Sequence, residues 1–141
     1  MRLLACGGRD FQDERQLRAW MNEAVDGHDK VVEIHGDARG ADRLAGEIAA
    51  RVGVPIVTFP ADWTRHGAAA GPIRNQTMLD SGKPDLVLAA PGGTGTADMV
   101  RRAVRSGVPV IDKRERTTSA QQLNTVLLSS EPIAWRRQWR S

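Results

Sequence analysis

Five short apolar runs alternate along this chain with segments whose apolar residues recur at helical spacing, and that alternation limits the possible folds more than any other feature. The runs are 2–6 (RLLAC), 30–35 (KVVEIH), 54–59 (VPIVTF), 85–90 (DLVLAA) and 108–111 (VPVI). The first is stopped by Gly7-Gly8 and the second by Gly36. Each is strand-length, and several are rich in β-branched residues, which suit a pleated surface. Between them lie 11–26, with Leu17, Trp20, Met21, Ala24 and Val25 on one face, and 41–52, with Leu44, Ala45, Ile48, Ala49 and Val52 on one face. Gly53 closes the second of these helices. A third helix spans 68–81; Gly71-Pro72 interrupts its start, so its better part begins near Pro72. A fourth covers 96–106, with Gly107 as its C-cap.

Strands that are nearly continuous in apolar residues, with helices between them, predict an α/β fold. The expected architecture is a Rossmann-like, doubly wound parallel sheet of about five strands with helices on both faces. The chain has 141 residues, which fits one domain. It lacks an apolar run long enough to span a bilayer, and its first apolar stretch is too short for the core of a signal peptide. Cys6 is the single cysteine, which excludes an internal disulfide and a multi-cysteine zinc site and fits a reducing cytoplasm. The expectation is therefore a cytoplasmic protein with no membrane partner.

The net charge is +3, and the excess sits at the end of the chain. Lys113, Arg114, Arg116, Arg136, Arg137 and Arg140 face only Glu115 and Glu131 there. Residues 119–129 read as a final helix, and Trp135 and Trp139, four apart, can share a helical face. That basic, tryptophan-bearing tail can dock on the body, join a homo-oligomer, or stack on the bases of a single strand.

In an open parallel sheet, ligands bind beyond the carboxyl ends of the strands. Four such loops carry Gly, Asp, Arg or Thr. Gly7-Gly8-Arg9-Asp10 follows the first strand, and 36–42 (GDARGAD) the second. Pro60-Ala61-Asp62-Trp63 follows the third, and 91–96 (PGGTGT) the fourth. The last is the sharpest. Gly92, Gly93 and Gly95 allow positive φ and a close approach to a ligand, while Thr94 and Thr96 add hydroxyls. The loop runs into a helix, whose unpaired N–H groups and dipole favour an anion. A phosphate fits there.

Elsewhere, Arg9 is a candidate phosphate clamp, with Asp10 orienting it or capping the next helix. Gly36 and Gly40 permit close approach. Asp42 caps a helix or binds a ribose hydroxyl, and Asp37 is the other carboxylate placed to meet a ribose. Arg39 can reach a phosphate, and Arg74 and Asn75, in the first turn of the helix before the fourth strand, add a second clamp. His35 reads as a satisfied core-edge residue, His28 as solvated, and His66 as part of a Gly/Ala-rich loop that can act as a lid. There is no P-loop motif, and Asp98 stands where G-x-G-x-x-G needs its third glycine. Nor is there a histidine or carboxylate pattern for a resident metal. A phosphate ligand could still bring Mg²⁺ to Asp10, Asp37, Asp42, Asp62 or Asp98.

Taken in order, ACGGRDF, HGDARGAD, FPADW, GPIRNQTML and LAAPGGTGTADMV resemble the SLOG superfamily, which includes the lonely-guy phosphoribohydrolases and DprA. The closest branch is similar to the small YspA/YpsA-related proteins of bacteria and phages. The resemblance covers residues 3–112 and leaves 113–141 outside it, implying a nucleotide-binding domain over 1–112 followed by a C-terminal helix and tail. It implies a Rossmann-like sheet that binds a nucleotide or a nucleotide-derived molecule such as an ADP-ribose-like ligand, as a sensor or a sequestering protein. The lonely-guy enzymes carry a similar loop, PGGxGTxxE, whose final Glu takes part in catalysis, and an Arg to which Arg74 corresponds. Counting along this chain puts Met99 at that Glu. Asp98, one residue early on a helix, points about 100° away. The resemblance thus leaves turnover open, with a nucleoside-monophosphate N-glycosidase and a DprA-like nucleic-acid-binding module as the alternatives.

Overall fold

A computed structural model of the protein describes residues 1–114. Its five strands are β1 (Arg2–Cys6), β2 (Val32–His35), β3 (Ile56–Thr58), β4 (Leu86–Ala89) and β5 (Val110–Asp112). All pair in parallel, in the order β3-β2-β1-β4-β5. The chain therefore builds outward from β1 through β2 to β3, then crosses back to place β4 on the other side of β1. That reversal is a topological switch point, and it opens a crevice between the carboxyl ends of β1 and β4.

The helices are α1 (Glu14–Val25), α2 (Ala41–Arg51), α3 (Trp63–His66), α4 (Ala70–Gly82) and α5 (Thr94–Arg105). A single 3₁₀ turn, Gly67–Ala69, joins α3 to α4. Strand period 2 sorts the core into two layers. Leu3, Ala5 and Leu88 pack with Leu17, Trp20 and Met21 of α1 and Ala45, Ile48 and Ala49 of α2. Leu4, Cys6, Ile34, Val87 and Ala89 pack on the opposite face with Met78 and Leu79 of α4 and Met99, Val100 and Ala103 of α5. The expected sheet with helices on both faces is what the chain builds. Among the described residues no helix is long and apolar enough to cross a membrane.

Several boundaries differ from the sequence reading by one to three residues, and those near the strand ends matter most. Residues 67–72 are helical, because Pro72 falls in the first turn of α4, where a missing N–H has no intrahelical partner to lose. His66 accordingly ends a short helix instead of lying in an open loop. The helix after β4 starts at Thr94, two residues earlier than its apolar periodicity suggests. The helix and tail expected over 119–141 lie outside the described residues.

The β2 run conceals a polar pair. Glu33 and His35 point to one face, both buried against the α2 side. Gly46 of α2 makes the room: a Cβ there would sit 2.6 Å from His35 Nε2. His35 Nδ1 accepts the Asp37 N–H at 2.9 Å, so its core-edge position is satisfied through that nitrogen. Neither carboxylate oxygen of Glu33 has a hydrogen-bond partner. Burial, followed by the field of Asp42, holds the Glu33 carboxyl well above its usual range, and burial lowers the His35 imidazole. The two face each other at 3.9 Å, and burial favours the neutral form of each.

Candidate functional site

The crevice at the switch point is a cavity of about 600 Å³. Its floor is the end of β1 and the loop after it, Cys6, Gly7 and Gly8. One wall is the first turn of α5, with Gly93, Thr94, Gly95 and Thr96. The other side carries Arg9, Asp42, Trp63, Arg74 and Asn75. Ten of the expected site residues therefore meet here: Gly7, Gly8, Arg9, Asp42, Arg74, Asn75, Gly93, Thr94, Gly95 and Thr96. Gly36 and Asp37 line a neighbouring cavity instead. Gly40 and Gly92 line neither; they hold the loops together from behind.

Gly40 shows how. Its φ is +88°, a left-handed conformation that favours glycine, and a Cβ would come within 2.6 Å of the Arg9 carbonyl. The Ala41 N–H beside it donates to Gly8 O at 3.1 Å, so the loops after β1 and β2 are pressed backbone to backbone. Gly92 does the same between the loops after β1 and β4. Its Cβ would lie 2.6 Å from the Gly8 nitrogen, which itself donates to Pro91 O at 2.8 Å. Close approach of main chain to main chain accounts for both glycines.

The α5 turn needs no left-handed residue. Gly93 caps the helix at φ −101°, and neither Gly92, Gly93 nor Gly95 is among the glycines with positive φ. The expectation of positive φ fails because the helix begins at Thr94 and takes Gly95 into its first turn. What Gly93 and Gly95 provide is space: a Cβ on either would meet no protein atom within 4 Å. The first turn of this twelve-residue helix, whose leading N–H groups have no intrahelical partner, lines the cavity.

Arg74 sits in the second turn of α4, not the first. Its guanidinium donates from Nη1 to Gly36 O and from Nε to Asn75 Oδ1 at 3.1 Å. Asn75 in turn donates to Gly95 O at 3.2 Å and to Asp98 Oδ2 at 3.0 Å. The two residues tie the β2 loop and the α5 turn to α4, and only the remaining guanidinium donors of Arg74 face a ligand. Arg9 is different: it is exposed and lies over the Trp63 ring, 5.4 Å from its centroid.

Asp42 neither caps α2 nor faces solvent. The N-cap is Gly40, and Asp42, 4% exposed, turns back so that Oδ2 accepts the Gly36 N–H at 3.0 Å and the Ala38 N–H at 3.4 Å. Burial pushes its carboxyl up to about 6, against the opposing pull of Arg74 and the two backbone bonds. Burial also pushes the Cys6 thiol up, which disfavours the reactive thiolate. Asp10 pairs with Arg39 at 3.6 Å, and the cap of α1 falls to Asp13, which accepts the Gln16 N–H at 3.1 Å.

Residues 1–66 match YAcAr, the YspA, cpYpsA-related SLOG family. The chain is also similar to the Gene 61 protein of Mycobacterium phage D29, with 36% identity over 121 residues, 79% of this chain and 94% of that protein. The chain belongs to the YspA, cpYpsA-related SLOG family.

In this SLOG chain the position that corresponds to the lonely-guy glutamate, Met99, is 1% exposed and packed in the core beneath the cavity. Asp98 beside it is engaged by neighbouring side chains. Although partial burial opposes ionisation, bonds from Arg102 at 2.8 Å and from Asn75 hold its carboxyl below the usual range, and Arg101 adds a third partner. Asp62 is occupied as the N-cap of α3, accepting the Arg65 N–H at 3.0 Å. Among the described residues no group of three or more His, Cys, Asp or Glu is placed to hold a metal ion.

Sequence reasoning about the SLOG site passed over Trp63, Arg43 and Arg101. Trp63 had a signal, because it ends the loop that follows β3 and comes directly after an N-capping aspartate. Arg43 and Arg101 had none, since a lone arginine on a helix reads as surface charge until the cavity beside it is known.

Proposed function

We propose that this protein binds a nucleotide or a nucleotide-derived molecule, such as an ADP-ribose-like ligand, and acts as a sensor or sequestering protein. One observation carries the reading: the first turn of α5 opens, unobstructed at Gly93 and Gly95, into a cavity at the switch point of the sheet. A phosphate there meets the unpaired N–H groups of the turn and the hydroxyl of Thr94. Arg9 and the outward donors of Arg74 clamp it, and Asp42 is the carboxylate within the cavity for a ribose hydroxyl. Family membership supports a nucleotide-related ligand. Native mass spectrometry of freshly purified protein tests the proposal. A co-purified nucleotide is the expected result; absence of any bound nucleotide, with no binding of added nucleotides in calorimetry, refutes it.

N-glycosidic hydrolysis is the second reading, and Asp42 favours it. It is a buried carboxyl on the cavity wall with its proton affinity raised toward neutrality, the state that a general acid needs. Incubation with the four common nucleoside monophosphates separates the two readings. Release of free base that stops in an Asp42→Asn variant establishes turnover.

A further inference from the structure

A second cavity, of about 310 Å³, adjoins the first on the β2–β3 side. The two share Arg9, Ala38, Trp63 and Arg74, so they are rooms of one groove divided by the Trp63–Arg9 pair. Resting on the nucleotide reading above, we infer that this second room is an anion subsite, and that the ligand carries two phosphate groups flanking one nucleoside.

Charge is the first argument. Four arginines, Arg9, Arg39, Arg43 and Arg74, line the room against a single carboxylate, Asp37. Arg39 and Arg43 are loosely held. Arg39 meets Asp10 at 3.6 Å with both side chains in solvent, and Arg43 meets Asp37 at 3.3 Å through Nε alone. Exposed pairs of this kind contribute little to stability, and each leaves most of a five-donor fork free for a phosphate.

Backbone strain is the second. Asp37 is one of two non-glycine residues with positive φ among the described residues, at +56°. Its N–H is held by His35 Nδ1 and its carboxylate by Arg43 Nε. A non-glycine residue fixed in this region is strained, and such strain concentrates where a loop is shaped for a ligand.

Trp63 is the third. It is 48% exposed although it is a large apolar side chain, and it stands where the two rooms meet, with Arg9 over its ring. An exposed indole with a guanidinium on its face is a stacking platform for a base. A nucleoside stacked there places one phosphate toward the α5 turn and a second toward Arg39 and Arg43.

Calorimetry on the full chain tests the inference. The probes are nucleoside 5′-monophosphates, nucleoside 3′,5′-bisphosphates and 5′-phosphorylated dinucleotides, each through the four common bases. For the best base, at least one doubly phosphorylated probe is expected to bind about tenfold or more tighter than the monophosphate, the gain from charge-assisted bonds. Its advantage should fall to within about threefold in an Arg39→Gln/Arg43→Gln variant shown by circular dichroism to be folded. The better of the two doubly phosphorylated probes tells whether the second group is a monoester or a phosphodiester. Equal affinity for single and double phosphates overturns the inference and leaves the nucleotide reading intact. An advantage that survives in the double variant also overturns it, because the second phosphate then sits elsewhere. Failure of every probe also overturns this inference, whereas the nucleotide reading stands or falls on the co-purified ligand sought by native mass spectrometry.

Discussion

Replacing Asp42 by asparagine isolates the energetic cost of a carboxylate buried in the cavity wall. The amide keeps one oxygen to accept the Gly36 and Ala38 N–H groups that Oδ2 accepts in the native protein. It removes the ionisation. Well below pH 3.8 the carboxyl is protonated in both folded and unfolded chains, and the two proteins should differ little in pH dependence. As pH rises, the unfolded chain releases its proton near 3.8, while burial keeps the folded carboxyl protonated up to about 6. The folded state then binds more protons than the unfolded one, so native stability falls with rising pH through that window. A rise from 3.8 to about 6 corresponds to roughly 3 kcal/mol, at about 1.4 kcal/mol per unit. Urea unfolding of both proteins from pH 3.5 to 7.5, approximately the window in which the two states differ in proton binding, gives the difference directly, because other titrating groups largely cancel. The Asp42→Asn variant should gain about 3 kcal/mol on the native protein between the acid and neutral ends. A difference that is flat with pH, or that favours the aspartate as pH rises, would refute the assignment of a desolvated carboxyl at this site.

Gly93→Val should abolish nucleotide binding in calorimetry while leaving the thermal midpoint nearly unchanged, since its side chain enters the cavity and meets no protein atom near Cβ. Wild-type affinity in that variant would reduce the loop to a simple turn. Arg74→Ala should weaken nucleotide binding about ten- to a hundredfold through one lost charge-assisted contact. It should also lower stability, because Gly36 O and Asn75 Oδ1 lose their donor. Glu33→Leu should stabilise the protein by about 1–3 kcal/mol at neutral pH in urea unfolding, by removing a buried carboxyl with no hydrogen-bond partner. Gly40→Ala should cost about 2 kcal/mol or more by the same assay, because a Cβ there is strained at φ +88° and collides with the Arg9 backbone.

Local patterning was enough to reveal the five strands, their parallel sense and the two-faced cover of helices, because those follow from residue period and from turn residues. The carboxyl ends of the strands were legible as the candidate site for the same reason: Gly7-Gly8, Gly36, Pro60 and Pro91-Gly92-Gly93 stop the first four runs where a loop must begin. What each residue does there came from the assembled fold. Gly40 and Gly92 look like ligand-approach glycines in the chain, yet each is required by a loop distant in sequence, 32 residues away for Gly40 and Gly8, that packs against it. Asp42 has the local signature of a helix cap, but the buried N–H groups of Gly36 and Ala38 claim its carboxylate. Arg74 and Asn75 read as clamps, and only the fold shows that they also tie α4 to the β2 loop and α5. Glu33 hides in a strand pattern that its neighbours make apolar, and only the space left by Gly46, thirteen residues on, lets that face of β2 carry polar groups under α2. Periodicity reports which face a residue occupies. Which partner waits on that face depends on the crossover that brings β4 beside β1, and no local signal encodes that pairing.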